Sequence, residues 1–180
     1  MARPGLTGVL LVGGASERFG SPKALARWGE ETLAEHGWRT LGEVCAHRLA
    51  VGKAADDLDL PFPVLDDGSD VHAPIVGLVA GLKAAPTELC VVLPVDCPRV
   101  TAALLVDLAD ACRGDVARSQ RGPLPGAYRR SALRALERGE LAIYRAIVSL
   151  DVAVIDVDPA LIVNVNTPEE LAACTLNSAV

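Results

Sequence analysis

Short, unbroken apolar runs alternate along this chain with longer stretches in which apolar residues recur every three or four positions. Runs of the first kind suit strands covered on both faces, and stretches of the second kind suit helices laid over them. The pattern predicts strands over residues 8–12 (GVLLV), 48–51, 63–65, 89–93 (LCVVL), 115–118, 126–129, 152–157 and 162–165. It predicts helices over 32–44, 74–85, 101–112, 131–138 and 141–150, with a last one opening at Pro168. Thr101 and Thr167 are suited to cap helix N-termini, and Pro74 and Pro168 to stand first in a helix. Such alternation specifies one α/β domain over residues 1–180, with a mostly parallel sheet between two helical layers. No repeat or low-complexity segment interrupts it.

Four polar segments follow predicted strands: LVGGASERFGSPKA (11–24), DDGSD (66–70), PVDCP (94–98) and NVNTPEE (164–170). Ligands of open α/β sheets gather at the carboxyl ends of the strands, so these segments are expected to converge on one edge.

Composition narrows what that edge binds. The 180 residues are 51% hydrophobic and only 3% aromatic, with a formal net charge of −6. Few aromatic platforms and an acidic balance exclude a general nucleic-acid binder. The five cysteines, Cys45, Cys90, Cys97, Cys112 and Cys174, are scattered without a CxxC pair, as expected of reduced thiols in the cytoplasm. The opening MARPGLTG has no apolar leader core, and no apolar run reaches the length of a membrane span. The expectation is a cytoplasmic protein without membrane association.

Against this acidic background the first segment stands out. Gly13, Gly14 and Gly20 surround Arg18 and lead to Lys23. Glycines let backbone N–H groups approach phosphate oxygens, while Arg and Lys offer donors to the same anion. The spacing GGxxxRxGxxK is neither a P-loop nor GxGxxG. A turn whose glycines only make the corner is the competing reading, and the clustering of two cations favours a triphosphate loop. Asp96, between Pro94 and Pro98, reads either as a Mg²⁺ carboxylate beside that loop or as a turn cap. Asp66 and Asp67 read equally as acceptors for a base or ribose and as a polar Asp-Gly turn. Asn164 and Asn166 lie two apart, so on a strand both amides face one side, although Asn is also common before helices. His36, His47 and His72 are not spaced as metal ligands, no nucleophile–base arrangement is visible, and nothing marks Cys97 as a nucleophile.

With these motifs in order, the chain resembles the MobA-like nucleotidyltransferases, and within them the molybdenum cofactor guanylyltransferases. The family opening LAGGxSxRMGxxKA appears as LVGGASERFGSPKA, GPLAG as APIVG (73–77), the aspartate–proline strand end as DCP (96–98), and NxNTPEEL as NVNTPEEL (164–171). The resemblance implies a Rossmann-like nucleotidyltransferase sheet and Mg²⁺-dependent transfer of GMP from GTP to molybdopterin or its molybdenum form, releasing pyrophosphate. Carried over by position, Leu11, Val12, Gly13, Gly14, Lys23 and Asp67 bind the nucleotide. Asp96 binds nucleotide and metal, Arg18 and Lys23 act on the phosphates, and Asn164 and Asn166 lie toward the pterin. It further implies transient contact with other molybdenum cofactor proteins. Related cytidylyltransferases tend to carry Ala-Ala-Gly where this chain has Val12-Gly13-Gly14, which favours guanine. A cytidylyl or sugar-phosphate enzyme, or a non-catalytic nucleotide binder, is the alternative. Departures fall at Val12, Phe19 and Pro22, at APIVG, and at VGK (51–53), where some members place a nucleotide-contacting Asn.

Overall fold

β1 (Arg3–Leu11) runs between two parallel neighbours, β4 (Cys45–Gly52) and β6 (Leu89–Pro94), and its register brings all three to the same edge. Leu11 stands beside Val51 on one flank and Pro94 on the other. These relations come from a computed structural model that describes residues 2–13 and 19–176.

β5 (Val64–Asp66) extends the parallel set beyond β4. On the other side follow β8 (Gly122–Arg129), β7 (Val116–Ser119) and β9 (Val152–Ile155), giving the order β5-β4-β1-β6-β8-β7-β9. Only β8 is antiparallel to its neighbours, and β7 and β9 are parallel. The sheet is therefore mostly parallel, as expected.

Alternation along β1 sends side chains to two cores. Leu6 and Leu10 pack toward α1 (Leu33–Val44) and α3 (Ala102–Ala111), with α6 (Pro168–Leu176) on the same face. Val9 and Leu11 pack toward α2 (Pro74–Ala84), α4 (Leu133–Leu136) and α5 (Ile143–Ala146). This is a three-layer α/β/α architecture. Two helical glycines set the approach: a Cβ on Gly37 of α1 would lie 2.7 Å from Leu10 Cδ1, and one on Gly81 of α2 would lie 2.5 Å from Val9 Cγ1.

Local signals explain most helix starts. Thr32 Oγ1 accepts from the Glu35 amide at 3.2 Å while Glu35 Oε2 accepts from the Thr32 amide at 2.8 Å, a capping box. Thr101 accepts from the Leu104 amide, and Pro74 opens α2.

Several expectations need correction. β1 begins at Arg3 rather than residue 8, and a two-residue hairpin, β2 (Arg27–Trp28) with β3 (Glu31–Thr32), precedes α1. Residues 162–165 form no strand: the Val165 amide donates to Asp96 O at 2.8 Å and the Ile162 amide to Pro159 O at 3.2 Å, and neither bond belongs to a ladder. The helix expected over 141–150 shrinks to α5, since Leu141, Tyr144 and Val148 face solvent and leave a narrow apolar stripe. Among the described residues, no helix is long and apolar enough to cross a membrane.

Candidate active site

The carboxyl ends of β1, β4, β5 and β6 are stitched by backbone hydrogen bonds beyond the strands themselves. Val12 N donates to Val51 O (2.9 Å), Val95 N to Leu11 O (3.0 Å) and Asp67 N to Gly52 O (2.8 Å). The Val165–Asp96 bond ties the segment before α6 to the same edge. Gly13 is required by closeness: a Cβ there would lie 3.2 Å from Gly52 Cα. Gly77 lets α2 approach in the same way, 3.1 Å from Leu11 Cδ2. Between these ends opens a cavity of about 350 Å³, lined by Leu11, Val12 and Gly13 and by side chains forming two polar groups.

The first group contains Lys23, Asp96, Asn164 and Asn166. Lys23 opens a 3₁₀ turn (Lys23–Leu25), and its Nζ donates to Asn166 Oδ1 at 3.1 Å and stands 3.6 Å from Asp96 Oδ2. Both charged side chains are mostly buried, at 16% and 23% exposure, so solvent screens the pair weakly. The NTPEE run holds Asn166 in place. Thr167 Oγ1 accepts from the Glu170 amide, and Glu170 Oε2 reaches back to the Asn166 amide at 2.7 Å. On the other side, His36 on α1 makes a 2.9 Å hydrogen bond from Nε2 to Pro98 O, two residues after Asp96. Cys97 Sγ lies 3.6 Å from both Asp96 Oδ1 and Asn164 Oδ1. Burial first, and the Asp96 charge second, push this thiol's pKa up, so Cys97 is a protonated donor and not a nucleophile.

The second group is Lys53 with Asp67. Lys53 follows β4, and its Nζ lies 3.0 Å from each Asp67 carboxylate oxygen and 2.6 Å from Ser69 O. The Ser69 amide also donates to Asp67 Oδ1 at 3.0 Å.

Of the residues expected at a site, Leu11, Val12, Gly13, Lys23, Asp67, Asp96, Asn164 and Asn166 line this one cavity, while Gly14 and Arg18 lie outside the described residues. Asn164 and Asn166 arrive from a loop rather than a strand. Sequence reading passed over Lys53, His72 and Leu124, which also line the cavity. The rule that strand ends carry ligands pointed at Lys53, one residue past Gly52. Nothing in the sequence announced its pairing with Asp67.

Three oxygen-bearing side chains, Asp96, Asn164 and Asn166, offer hard donors to a divalent cation. Among the described residues, no group of three or more His, Cys, Asp or Glu is arranged to hold a metal. That donor set fits Mg²⁺ shared with substrate phosphates, which supply the remaining oxygens. An ammonium already stands among these oxygens, evidence that they favour a cation.

Comparison with known proteins identifies the family and the fold. The family model for the MobA-like NTP transferase domain matches residues 8–151. A Chloroflexus aggregans protein named "Probable molybdenum cofactor guanylyltransferase" is 31% identical, covering 92% of this chain and 91% of its own. A protein of the same name from Opitutus terrae is 35% identical over 81% of this chain and 79% of its own. Among solved structures, molybdopterin-guanine dinucleotide biosynthesis protein A from Archaeoglobus fulgidus superposes with a TM-score of 0.81 at 23% identity, covering 96% of this chain and 98% of that one. The 2-C-methyl-D-erythritol 4-phosphate cytidylyltransferase from Thermus thermophilus gives 0.72 at 18% identity over 100% of both chains. At such identities the two structures speak for the fold alone.

Proposed function

The chain belongs to the MobA-like NTP transferase family and is a nucleotidyltransferase, and from that premise we propose that it transfers GMP from GTP to the phosphate of molybdopterin or its molybdenum form. An acceptor phosphate oxygen forms a bond to the GTP α-phosphorus, the bond from that phosphorus to the α–β bridging oxygen breaks, and pyrophosphate leaves. The observation that carries the reading is the meeting of Lys23, Asp96 and Asn166 at the carboxyl edge of the sheet.

Chemistry of this kind asks the protein for positioning and charge neutralisation more than for covalent help. Lys23, already close to two oxygens, is suited to follow the triphosphate and to stabilise charge developing on the leaving pyrophosphate. Arg18 is assigned to the same phosphates. Leu11, Val12, Gly13 and Gly14 lie along the nucleotide, with Asp67 at the other polar group of the cavity. Asp96 would hold a Mg²⁺ ion, which would supply charge neutralisation at the phosphates. Asn164 and Asn166 meet the acceptor side. The nucleotidyltransferase domain spans residues 1–180, acts in the cytoplasm and makes transient contact with other molybdenum cofactor proteins.

Replacing Asp96 by Ala tests the assignment. The variant is expected to fold with unchanged circular dichroism and to lose GTP-dependent pyrophosphate release with molybdopterin. Near-normal turnover would remove Asp96 from the chemistry.

A further inference from the structure

Phosphate chemistry does not use the pair of opposite charges at the other polar group of the cavity. Lys53 and Asp67 have side chains only 10% and 8% exposed, yet both line the cavity. Burying two charges is costly unless geometry and hydrogen bonds compensate, and here they do. The ammonium has three protons and three acceptors: Asp67 Oδ1, Asp67 Oδ2 and Ser69 O. Lys53 therefore has no proton to spare for a ligand. Asp67 is different. Its Oδ1 accepts from Lys53 and the Ser69 amide, whereas Oδ2 accepts from Lys53 alone among the described contacts. A carboxylate oxygen has two lone pairs, so Oδ2 keeps acceptor capacity, on a residue that lines the cavity. A triphosphate gains nothing from that oxygen, whereas a neutral ring carrying N–H donors does.

We propose that Lys53 is a positioning residue for base selection, holding Asp67 as an acceptor-only group that takes a nucleobase edge bearing adjacent N–H donors. Guanine has such an edge, with N1–H beside the exocyclic amine. Adenine and cytosine place an acceptor ring nitrogen beside their amine, and an ionised carboxylate repels it. The inference rests on the nucleotidyltransferase reading and deepens it. It also distinguishes Lys53 from a simple staple between the ends of β4 and β5, because a staple would support every nucleotide equally.

The test is calorimetric binding of GTP, ITP and ATP to the full chain. Unmodified protein is expected to bind GTP at least about tenfold tighter than ATP, the usual effect of a hydrogen bond to a charged group, with ITP (which lacks the exocyclic amine) between them. Lys53→Met is expected to reduce the GTP:ATP ratio to within about threefold, while Lys53→Arg, which restores a cation, recovers most of it. Should the methionine variant not fold, Lys53→Gln supplies the same comparison with a neutral polar group. An unchanged GTP:ATP ratio in a folded, uncharged variant would overturn the proposal, as would an unmodified protein without preference for GTP. Failure of the unmodified protein to bind any of the three would instead overturn the nucleotidyltransferase reading itself.

Discussion

Replacing Lys23 by Met keeps the length and apolar stem of the side chain and removes the ammonium. That ammonium stands 3.6 Å from Asp96 Oδ2 and 3.1 Å from Asn166 Oδ1. At an effective dielectric of about 20, a unit charge pair at this separation attracts by roughly 4–5 kcal/mol before desolvation is counted. Desolvation and the side chains' remaining contact with water offset most of this, so the folded state should lose only about 1 kcal/mol. The catalytic loss should be larger. A positioned donor aimed at developing charge contributes roughly 3–4 kcal/mol to the transition state, or about two to three decades in kcat/KM. Steady-state pyrophosphate release reads that loss. Titration with Mg²⁺ alone gives an independent readout, because Asp96 is freed from a competing cation and metal affinity should rise by about tenfold. A kcat/KM within about fivefold of the unmodified protein, with unchanged Mg²⁺ affinity, would refute the reasoning.

Three further outcomes follow from other parts of the molecule. Gly81→Ala gains up to about 1 kcal/mol of helix propensity. Its new Cβ falls 2.5 Å from the fully buried Val9 Cγ1, and such overpacking costs about 1–3 kcal/mol, so thermal unfolding should show a net loss near 1 kcal/mol. Hydrogen bonds from Arg39 hold Glu31 below the ordinary glutamate value of 4.5, and the Thr32 amide does the same for Glu35. The folded state then binds fewer protons than the unfolded chain, so this stabilisation is complete above about pH 4.5 and is lost as pH falls through the lowered values. Denaturant midpoints should accordingly drop between pH 5 and pH 3, and a flat profile would count against these contacts. All five cysteines are buried thiols, and burial pushes Cys45 and Cys90 up to about 12. Iodoacetamide mass labelling should therefore leave the native protein unmodified and reach all five sites only after unfolding.

The parallel strands were legible because residues such as Leu10, Val91 and Val92 sit in runs that only two-sided burial explains. Lys23, Asp96 and the two asparagines were legible because each stands at or just past an element's end, where side chains reach a ligand instead of the core. The strand expected over residues 162–165 was misread for a physical reason. The alternation IVNV has the period of a strand, and period reports which way side chains face, not whether a neighbouring strand is there to take the backbone hydrogen bonds. The Lys53–Asp67 pair escaped because the partners lie 14 residues apart and meet only once β4 and β5 align. The small hairpin of β2 and β3 has two residues in each strand, too few for any periodic signal. The spacing of His36 argued against a metal ligand, and its bond to Pro98 O reveals what it supports, the turn that carries Asp96.

The most direct test of the central claim is product analysis after incubating the protein with Mg²⁺, molybdopterin and, in parallel reactions, GTP, CTP, ATP and UTP. The account predicts a molybdopterin guanine dinucleotide and an equal amount of pyrophosphate from GTP, with little product from the other three. Dinucleotide formed mainly from CTP, ATP or UTP, or nucleotide binding without any pyrophosphate, would contradict it.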